Sequence, residues 1–131
     1  MTQTDRVVLV VDDNPDNLDF MERTFRNHYR TVRAQDGDEA IELLKKQAVD
    51  VIITDQRMPR VSGTELLRRS LAIHPSAVKI ILSAYTDTTE ILSAINVCRV
   101  NHYLVKPVTG ARLLEVVERA LALVPAAKRF E

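Results

Sequence analysis

Five polar side chains stand directly after apolar stretches of the chain, and their types could do chemistry together. They are an acid pair, Asp12 and Asp13, a third acid, Asp55, a hydroxyl, Ser83, and an ammonium, Lys106. Taken singly, each has an ordinary interpretation as a turn residue, a helix cap or a solvated charge. If these were unrelated loop residues, they would rarely all lie immediately after an apolar stretch. We therefore expect the five side chains to form one site.

The charge of this set predicts a bound cation. Three carboxylates and one lysine carry a net charge of −2, and carboxylates held close together cannot all ionise cheaply. Oxygen ligands without His or Cys select a hard ion, and room for water and a phosphate favours Mg²⁺, with Mn²⁺ as a substitute. Beside such an ion, one carboxylate can attack a phosphoryl group while the lysine and the hydroxyl bind its oxygens. The residues thus indicate a phosphoaspartate site.

Five apolar runs that alternate with segments of helical spacing must position these side chains. The first, third and fourth runs are nearly continuous in Val, Ile and Leu, which is typical of central parallel strands covered on both faces. The second run is polar, which is typical of an edge strand. The predicted strands are Val7–Val11, Thr31–Ala34, Val49–Ile53, Val78–Leu82 and Tyr103–Val105.

Helix start signals follow the strands. Asn14 before Pro15, Asp36 before Gly37 and Ser62 before Gly63 predict the beginnings of the first three helices. A fourth helix is predicted over residues 88–97 and a fifth over 109–124, before Pro125. Strand and helix in alternation predict an α/β fold with a five-stranded, doubly wound parallel sheet and five helices. Ligands of such sheets bind at the carboxyl ends of the strands, where the five polar side chains lie.

Length and composition bound the function. The 131 residues suffice for one domain, assigned to residues 1–125, and residues 126–131 form a short tail that could be the stub of a linker. Eighteen basic and eighteen acidic residues leave no net charge to attract nucleic acid or a membrane surface. No apolar run approaches the length that spans a bilayer, and one cysteine favours a reducing compartment. We expect a cytoplasmic protein with no direct contact to nucleic acid or membrane.

Over essentially its whole length, the chain resembles the receiver domains of the two-component response-regulator superfamily, the CheY-like domains. The residues that carry the resemblance are Val-Val-Asp-Asp at 10–13, Asp-Gln-Arg-Met-Pro at 55–59 with Gly63, Leu-Ser-Ala at 82–84 and Tyr-Leu-Val-Lys-Pro at 103–107. The resemblance implies a flavodoxin-like strand order of 2-1-3-4-5. It also implies a phosphorylation-dependent signalling switch that turns over no external substrate.

The same resemblance assigns roles within the site. Asp55 would accept a phosphoryl group from the phosphohistidine of a histidine kinase or a phosphotransfer protein. Asp13 would bind the metal directly and Asp12 mostly through water, with Asp55 and the main-chain carbonyl of Arg57 as further ligands. Lys106 would bind the phosphoryl oxygens.

The resemblance also implies a route from the site to the surface. Ser83 would bind the new phosphoryl group and vacate space into which Tyr103, at the family's aromatic switch position, turns. The face around the predicted fourth helix, fifth strand and fifth helix would then change for an output domain, a partner protein or a second copy of the chain. The peptide between Lys106 and Pro107 is expected to be cis.

Three features, at five positions, are individual to this chain. Cys98 stands where such receivers usually carry glycine, which puts the conformation of the turn before Val100 in question. Arg57 and Tyr85 would flank the phosphoryl group, and their bulk predicts slow hydrolysis of the acyl phosphate. On the fifth helix, Val116 and Leu123 lie off the main apolar stripe and indicate a partner surface.

Two other functions were weighed against the switch. A hydrolase of the haloacid dehalogenase type also uses an aspartate after a strand, but it needs a second acid two residues later, and position 57 is Arg. A degenerate receiver that only binds proteins or dimerises is the second alternative. Loss of phosphorylation usually shows at the acid, hydroxyl or lysine positions, and all of these are intact.

Overall fold

A computed structural model of the chain describes residues 5–84, 89, 92, 95 and 98–123. At its centre lies a five-stranded parallel sheet. The order is β2-β1-β3-β4-β5, and every pair of neighbours is parallel. The expected 2-1-3-4-5 order is thus confirmed, with the polar strand at an edge. The strands are β1 (Val7–Val11), β2 (Arg30–Ala34), β3 (Val51–Asp55), β4 (Val78–Ser83) and β5 (His102–Val105).

Alternate residues of the strands pack into two separate core layers, one on each face of the sheet. In β1, Leu9 and Val11 belong to one layer, while Val8 and Val10 belong to the other. Because both faces are buried, all five residues of β1 and of β3 are buried. This is the reason these strands read as continuous apolar runs in the sequence.

Four helices have defined bounds among the described residues, and each is capped by the polar side chain that precedes it. Asn14, Asp36, Ser62 and Thr109 each accept a hydrogen bond from a main-chain N–H group in the first turn of the helix. The helices are α1 (Pro15–Phe25), α2 (Gly37–Lys46), α3 (Gly63–Ser70) and α4 (Gly110–Ala122). Helices α2 and α3 cover one core layer, and α1 and α4 cover the other.

The described residues therefore define four helices where five were predicted. Helix α4 corresponds to the fifth prediction. The predicted fourth helix over 88–97 falls largely outside the described residues, as does the tail 126–131. Of the segment between β4 and β5, Thr89, Leu92, Ile95 and Cys98 are described, and each is helical. No helix of the described ranges is long and apolar enough to cross a bilayer.

One expectation for an individual residue is wrong, and one question about a turn is answered. Val116 is buried in the layer under α4, because this helix is rotated so that Val116 faces the sheet beside Leu113 and Val117, whereas Leu123 is exposed as expected. Cys98 needs no unusual backbone, since it is helical and buried, and the positive φ falls on the next residue, Arg99, at 55°.

Candidate functional site

Three aspartates meet at the carboxyl end of the sheet. Asp12 and Asp13 follow β1, and Asp55 is the last residue of the neighbouring strand β3. One carboxylate oxygen from each lies within 4.8 Å of the others. Asp12 and Asp55 are buried, whereas Asp13 is exposed. The sheet thus brings together the acids that the sequence predicted to converge.

Hydrogen bonds orient Asp12. Its Oδ1 accepts a hydrogen bond from the main-chain N–H of Asn14 (2.9 Å), and its Oδ2 accepts one from the side-chain amide of Asn17 (3.1 Å). Burial nevertheless raises the pKa of Asp12, and the nearby charge of Asp55 raises it further. The hydrogen bond from Asn14 and the charge of Lys106 oppose this shift in pKa. Asp12 is therefore ionised at a cost that a cation in the pocket would remove.

Lys106 balances part of the charge of the pocket. Its Nζ lies 2.7 Å from Oδ1 of Asp55. The main-chain N–H of Lys106 donates to the carbonyl of Ser83 (2.8 Å), so the loop after β5 is anchored to the end of β4. The peptide bond between Lys106 and Pro107 is cis. The lysine thus reaches Asp55 from the end of β5, at the same carboxyl end of the sheet and two strands away from β3.

The hydroxyl of Ser83 is buried and has no hydrogen-bond partner among the described residues. An unpaired buried hydroxyl is costly. Tyr103 lies in β5, opposite Ile81 of β4, and its partly buried side chain packs against the core layer under α2 and α3. Tyr85 lies outside the described residues.

The loop between β3 and α3 borders the pocket on another side. Arg57, two residues after Asp55, is exposed in this loop. Gly63, the first residue of α3, lets the helix approach the end of β3 closely, because a Cβ at this position would lie 2.5 Å from the carbonyl oxygen of Asp55. The short distance between Gly63 and Asp55 thus requires glycine.

Sequence reasoning missed two residues that shape the pocket. Asn17 was assigned no role, although its position one turn into α1, three residues after the cap Asn14, would have placed it over Asp12. Gln56 was quoted only as part of a motif, yet it is buried and bonded to the start of α3 through Thr64. A polar residue directly after the phosphoacceptor candidate in a buried stretch was the available signal.

An open, largely apolar cavity of about 560 Å³ adjoins the acids. The residues that line it include Asp12, Lys106, Phe20 and Met21 of α1 and Leu113 of α4. The cavity thus adjoins Asp12 and Lys106 between α1 and α4.

The donor set fits a hard divalent cation. The three clustered groups are carboxylates, and the exposed position of Asp13 leaves space for water beside them. With Lys106 the four charged groups sum to −2, which a divalent cation neutralises. A carboxylate beside a cation, an ammonium and a buried hydroxyl is an arrangement that can accept a phosphoryl group.

Comparison with known proteins agrees with this chemistry. The chain is 36% identical over 121 residues to the hydrogenase transcriptional regulatory protein HoxA of Cupriavidus necator, covering 92% of this chain and 25% of that protein. It is 34% identical over 116 residues to the response regulator protein PilR of Pseudomonas aeruginosa, covering 88% and 26%. The chain spans about a quarter of the length of these relatives.

A solved structure has the same fold. The signal receiver domain of an HD domain-containing protein from Pseudomonas fluorescens superimposes with a TM-score of 0.84 at 29% identity, covering 90% of this chain and 95% of that one. Residues 8–118 match the family described as the response regulator receiver domain. Together with the strand order and the acidic pocket, this match establishes that the chain belongs to the response regulator receiver domain family.

Proposed function

We propose that the chain is a signalling switch in which Asp55 accepts a phosphoryl group from the phosphohistidine of a histidine kinase or a phosphotransfer protein. The observation that carries the proposal is the cluster of Asp12, Asp13 and Asp55 with the Lys106 ammonium 2.7 Å from Asp55. Receiver domains are signalling switches, and we expect no turnover of an external substrate. The setting we propose is the cytoplasm.

Asp12, Asp13 and Asp55, with the main-chain carbonyl of Arg57, are the residues that would hold Mg²⁺. When bound, the cation supplies positive charge for the phosphoryl oxygens and lowers the cost of ionising the clustered carboxylates. The all-oxygen donor set and the raised pKa of the buried Asp12, which a cation would reverse, support this assignment.

The residues of the chain account for the transfer step. A carboxylate oxygen of Asp55 attacks phosphorus, so that a P–O bond forms while the P–N bond to the donor imidazole breaks. The electron pair of that bond stays on the imidazole nitrogen. Lys106 is close enough to Asp55 to pair with an oxygen of the transferred group, and the buried hydroxyl of Ser83 has no competing partner among the described residues.

Movement of Ser83 toward the phosphoryl group would open space for Tyr103. Ser83 ends β4 and Tyr103 lies in the adjacent strand β5, two residues before Val105, the register partner of Ser83. The proposed consequence is a changed surface around β5 and α4, which an output domain, a partner protein or a second copy of the chain would recognise.

Intact mass after incubation with acetyl phosphate and Mg²⁺ tests the phosphoacceptor. We expect a phosphate-sized, alkali-labile gain in the wild type and in the control Asp38→Asn, which changes an exposed aspartate. Asp55→Asn and a chelator should each abolish the gain. An equal gain in Asp55→Asn would refute the assignment of Asp55. No gain in folded wild-type protein would favour the degenerate receiver that binds partners without phosphorylation.

The lifetime of the phosphoryl group is a separate prediction. Arg57 and Tyr85 stand two residues after Asp55 and Ser83, and bulk at these positions should restrict the access of water to the acyl phosphate. We expect the double variant Arg57→Ala, Tyr85→Ala to lose the phosphoryl group several-fold faster once the donor is removed. The measurement is the decay of the phosphorylated mass with time. Equal decay rates would show that the two side chains do not shield the site.

A further inference from the structure

Gln56, the residue after the phosphoacceptor candidate, is almost fully buried and forms hydrogen bonds through both the oxygen and the nitrogen of its side-chain amide. Its Oε1 accepts a hydrogen bond from the main-chain N–H of Thr64 (2.9 Å), and its Nε2 donates to the hydroxyl of Thr64 (3.3 Å). Its main chain is also held on both sides. The N–H of Gln56 donates to the carbonyl of Leu82 in β4 (3.0 Å), and its carbonyl accepts from the N–H of Gly63 (2.9 Å).

These contacts make Gln56 the cap of α3 from outside the helix. The first N–H groups of a helix have no partners within the helix and must be satisfied elsewhere. In α3, the N–H groups of Gly63 and Thr64 both donate to Gln56, whereas that of Glu65 donates to the ordinary cap, Ser62. The end of β3 and the start of α3 are thus joined at one residue.

The joined ends close the loop 57–62 at its base. The loop is also held near its C-terminal end, because the side chain of Val61 packs directly against Gly37, where an added Cβ would lie 2.7 Å from Val61. Arg60, which has a positive φ of 67°, contributes an ion pair to Asp36 (3.3 Å). The loop begins with Arg57, so the clamp at Gln56 lies one peptide bond from the carbonyl expected to face the metal.

We propose that Gln56 is a positioning residue for the metal site. By clamping the loop 57–62 to the first turn of α3, it holds the main-chain carbonyl of Arg57 at the acidic pocket. The inference rests on the proposed function, in which that carbonyl is a metal ligand.

The amide is suited to this position by both its hydrogen bonding and its charge. It can accept from the Thr64 N–H and donate to the Thr64 hydroxyl at the same time. A glutamate would add a further negative charge next to a pocket whose charged side chains already sum to −2. An apolar side chain would leave the Thr64 N–H without its present partner.

The test compares Gln56→Met with Ser70→Ala. The first variant keeps the length of the side chain and removes both of its hydrogen bonds. The second removes a buried hydrogen bond at the opposite end of α3, from the Ser70 hydroxyl to the carbonyl of Leu67 (2.7 Å). Isothermal titration with Mg²⁺ is done at a temperature where both variants are folded. We expect the dissociation constant to rise about ten-fold in Gln56→Met, as for other residues that orient metal ligands, and to stay unchanged in Ser70→Ala.

The rate of phosphorylation by acetyl phosphate separates positioning from general damage. At saturating Mg²⁺, the rate of Gln56→Met should return to near that of the wild type, while half-saturation requires more Mg²⁺. Hydrogen exchange should quicken at the amides of residues 57–61 in this variant and not in Ser70→Ala. Unchanged Mg²⁺ affinity in folded Gln56→Met would overturn the inference.

Thr64→Val serves if Gln56→Met does not fold, because it removes the hydroxyl partner of Gln56 and keeps the bond from the Thr64 N–H. Here we expect a smaller rise in the dissociation constant, with the same faster exchange of the loop, and no change in either would overturn the inference. Failure of the proposed function is distinguishable, since wild-type protein would then bind no Mg²⁺ or gain no phosphate at Asp55.

Discussion

Asp12 is the residue at which function and stability most clearly oppose each other. Its carboxylate is buried beside Asp55, and burial and this neighbouring charge raise its pKa. A carboxyl whose pKa is higher in the folded than in the unfolded chain lowers stability as pH rises through that range. At pH values above the folded pKa of Asp12, and without a bound cation, the free energy of unfolding is lowered by the full cost of burying the ionised carboxylate. The buried charge of Asp12 thus lowers stability, and the proposed cation would offset this cost.

We therefore expect Asp12→Asn to be more stable than the wild type at neutral pH without Mg²⁺, by about 0.5–2 kcal/mol. Denaturant unfolding at several pH values measures the difference. The pH-dependent part of the difference should be absent well below pH 3.8, the ordinary pKa of the carboxyl, where Asp12 is protonated in both the folded and the unfolded chain. It should grow as pH rises from there through the raised pKa of the folded state. Glu42→Gln, which changes an exposed carboxylate of α2, is the control and should show no such growth. A less stable Asp12→Asn at neutral pH would contradict the explanation.

Lys79 shows the opposite kind of buried charge, at the amino end of β4 and away from the acids. It is 1% exposed, and its Nζ donates to the carbonyl of Ala77 (2.8 Å) and more weakly to those of His74 and Pro75. Burial, with a smaller contribution from the charge of Arg99, lowers its pKa to about 8. Between about pH 8 and the ordinary pKa of 10.5, the unfolded chain binds more protons than the folded one, so this group makes the protein more stable as pH rises.

The variant Lys79→Met should lose this pH dependence. We expect the free energy of unfolding of the wild type to rise relative to Lys79→Met between about pH 8 and 10.5. Phosphorylation of Asp55 should be unaffected, because Lys79 lies at the other end of the sheet. Paired denaturation curves across this range measure the difference, and Lys46→Met on the surface of α2 controls for the loss of an exposed lysine. Parallel curves for the wild type and Lys79→Met would exclude a titrating Lys79.

At the scale of elements, the contact between β3 and α3 is what places Asp55, the proposed phosphoacceptor. Gly63 begins α3, and the helix starts so close to the end of β3 that a Cβ would meet the Asp55 carbonyl oxygen at 2.5 Å and the Gln56 Cα at 3.0 Å. Both contacts are with main chain, which cannot move without displacing the strand end. Gly110 begins α4 with more space around it, because the atom nearest to an added Cβ would be the side-chain hydroxyl oxygen of Thr24, at 3.0 Å.

Gly63→Ala should therefore destabilise the protein by about 1–3 kcal/mol, the usual cost of overpacking, and slow the phosphorylation of Asp55. Gly110→Ala is the matched control, with the same substitution at the first residue of another helix, and should change stability little. Thermal unfolding and the rate of acetyl phosphate labelling measure the two effects. Equal stability of the two variants would show that α3 can retreat from the strand without cost.

At the scale of the whole molecule, the two-layer core leaves few large apolar side chains on the described surface. Leu123, at the end of α4, is 88% exposed, and Leu92 and Val105 are exposed to a lesser degree. These residues belong to the segments around β5 and α4 where the switch is proposed to act. An apolar surface that is exposed in the resting state is suited to a partner that binds after phosphorylation.

We expect the phosphorylated chain to associate with itself through this surface. Sedimentation velocity should show a faster species after treatment with acetyl phosphate and Mg²⁺, and Leu123→Ser should weaken it while leaving Asp55 labelling intact. Ala111→Ser, at the exposed start of α4, is the control. A phosphorylated wild type that stays monomeric at high concentration would exclude the homodimer and leave a different output partner.

The sequence by itself determined the features that depend on neighbours along the chain. Apolar runs covered on both faces, the caps Asn14, Asp36, Ser62 and Thr109, and the polar residues after the strands are all set within a few residues. These local features predicted the parallel sheet, the edge position of β2 and the meeting of the three aspartates.

Other contacts between distant segments were decided by the tertiary structure alone. The rotation of α4 against the sheet buries Val116, and the closeness of β3 to α3 explains both the glycine at 63 and the buried amide of Gln56. In the turn before β5, the residue with a positive φ is Arg99. Cys98 therefore stays helical, and its thiol contacts the carbonyl of Thr64. The physical reason is the same in each case. The position of one element relative to another is set by side-chain packing across the core, and this packing leaves no periodic pattern in the sequence from which it could be predicted.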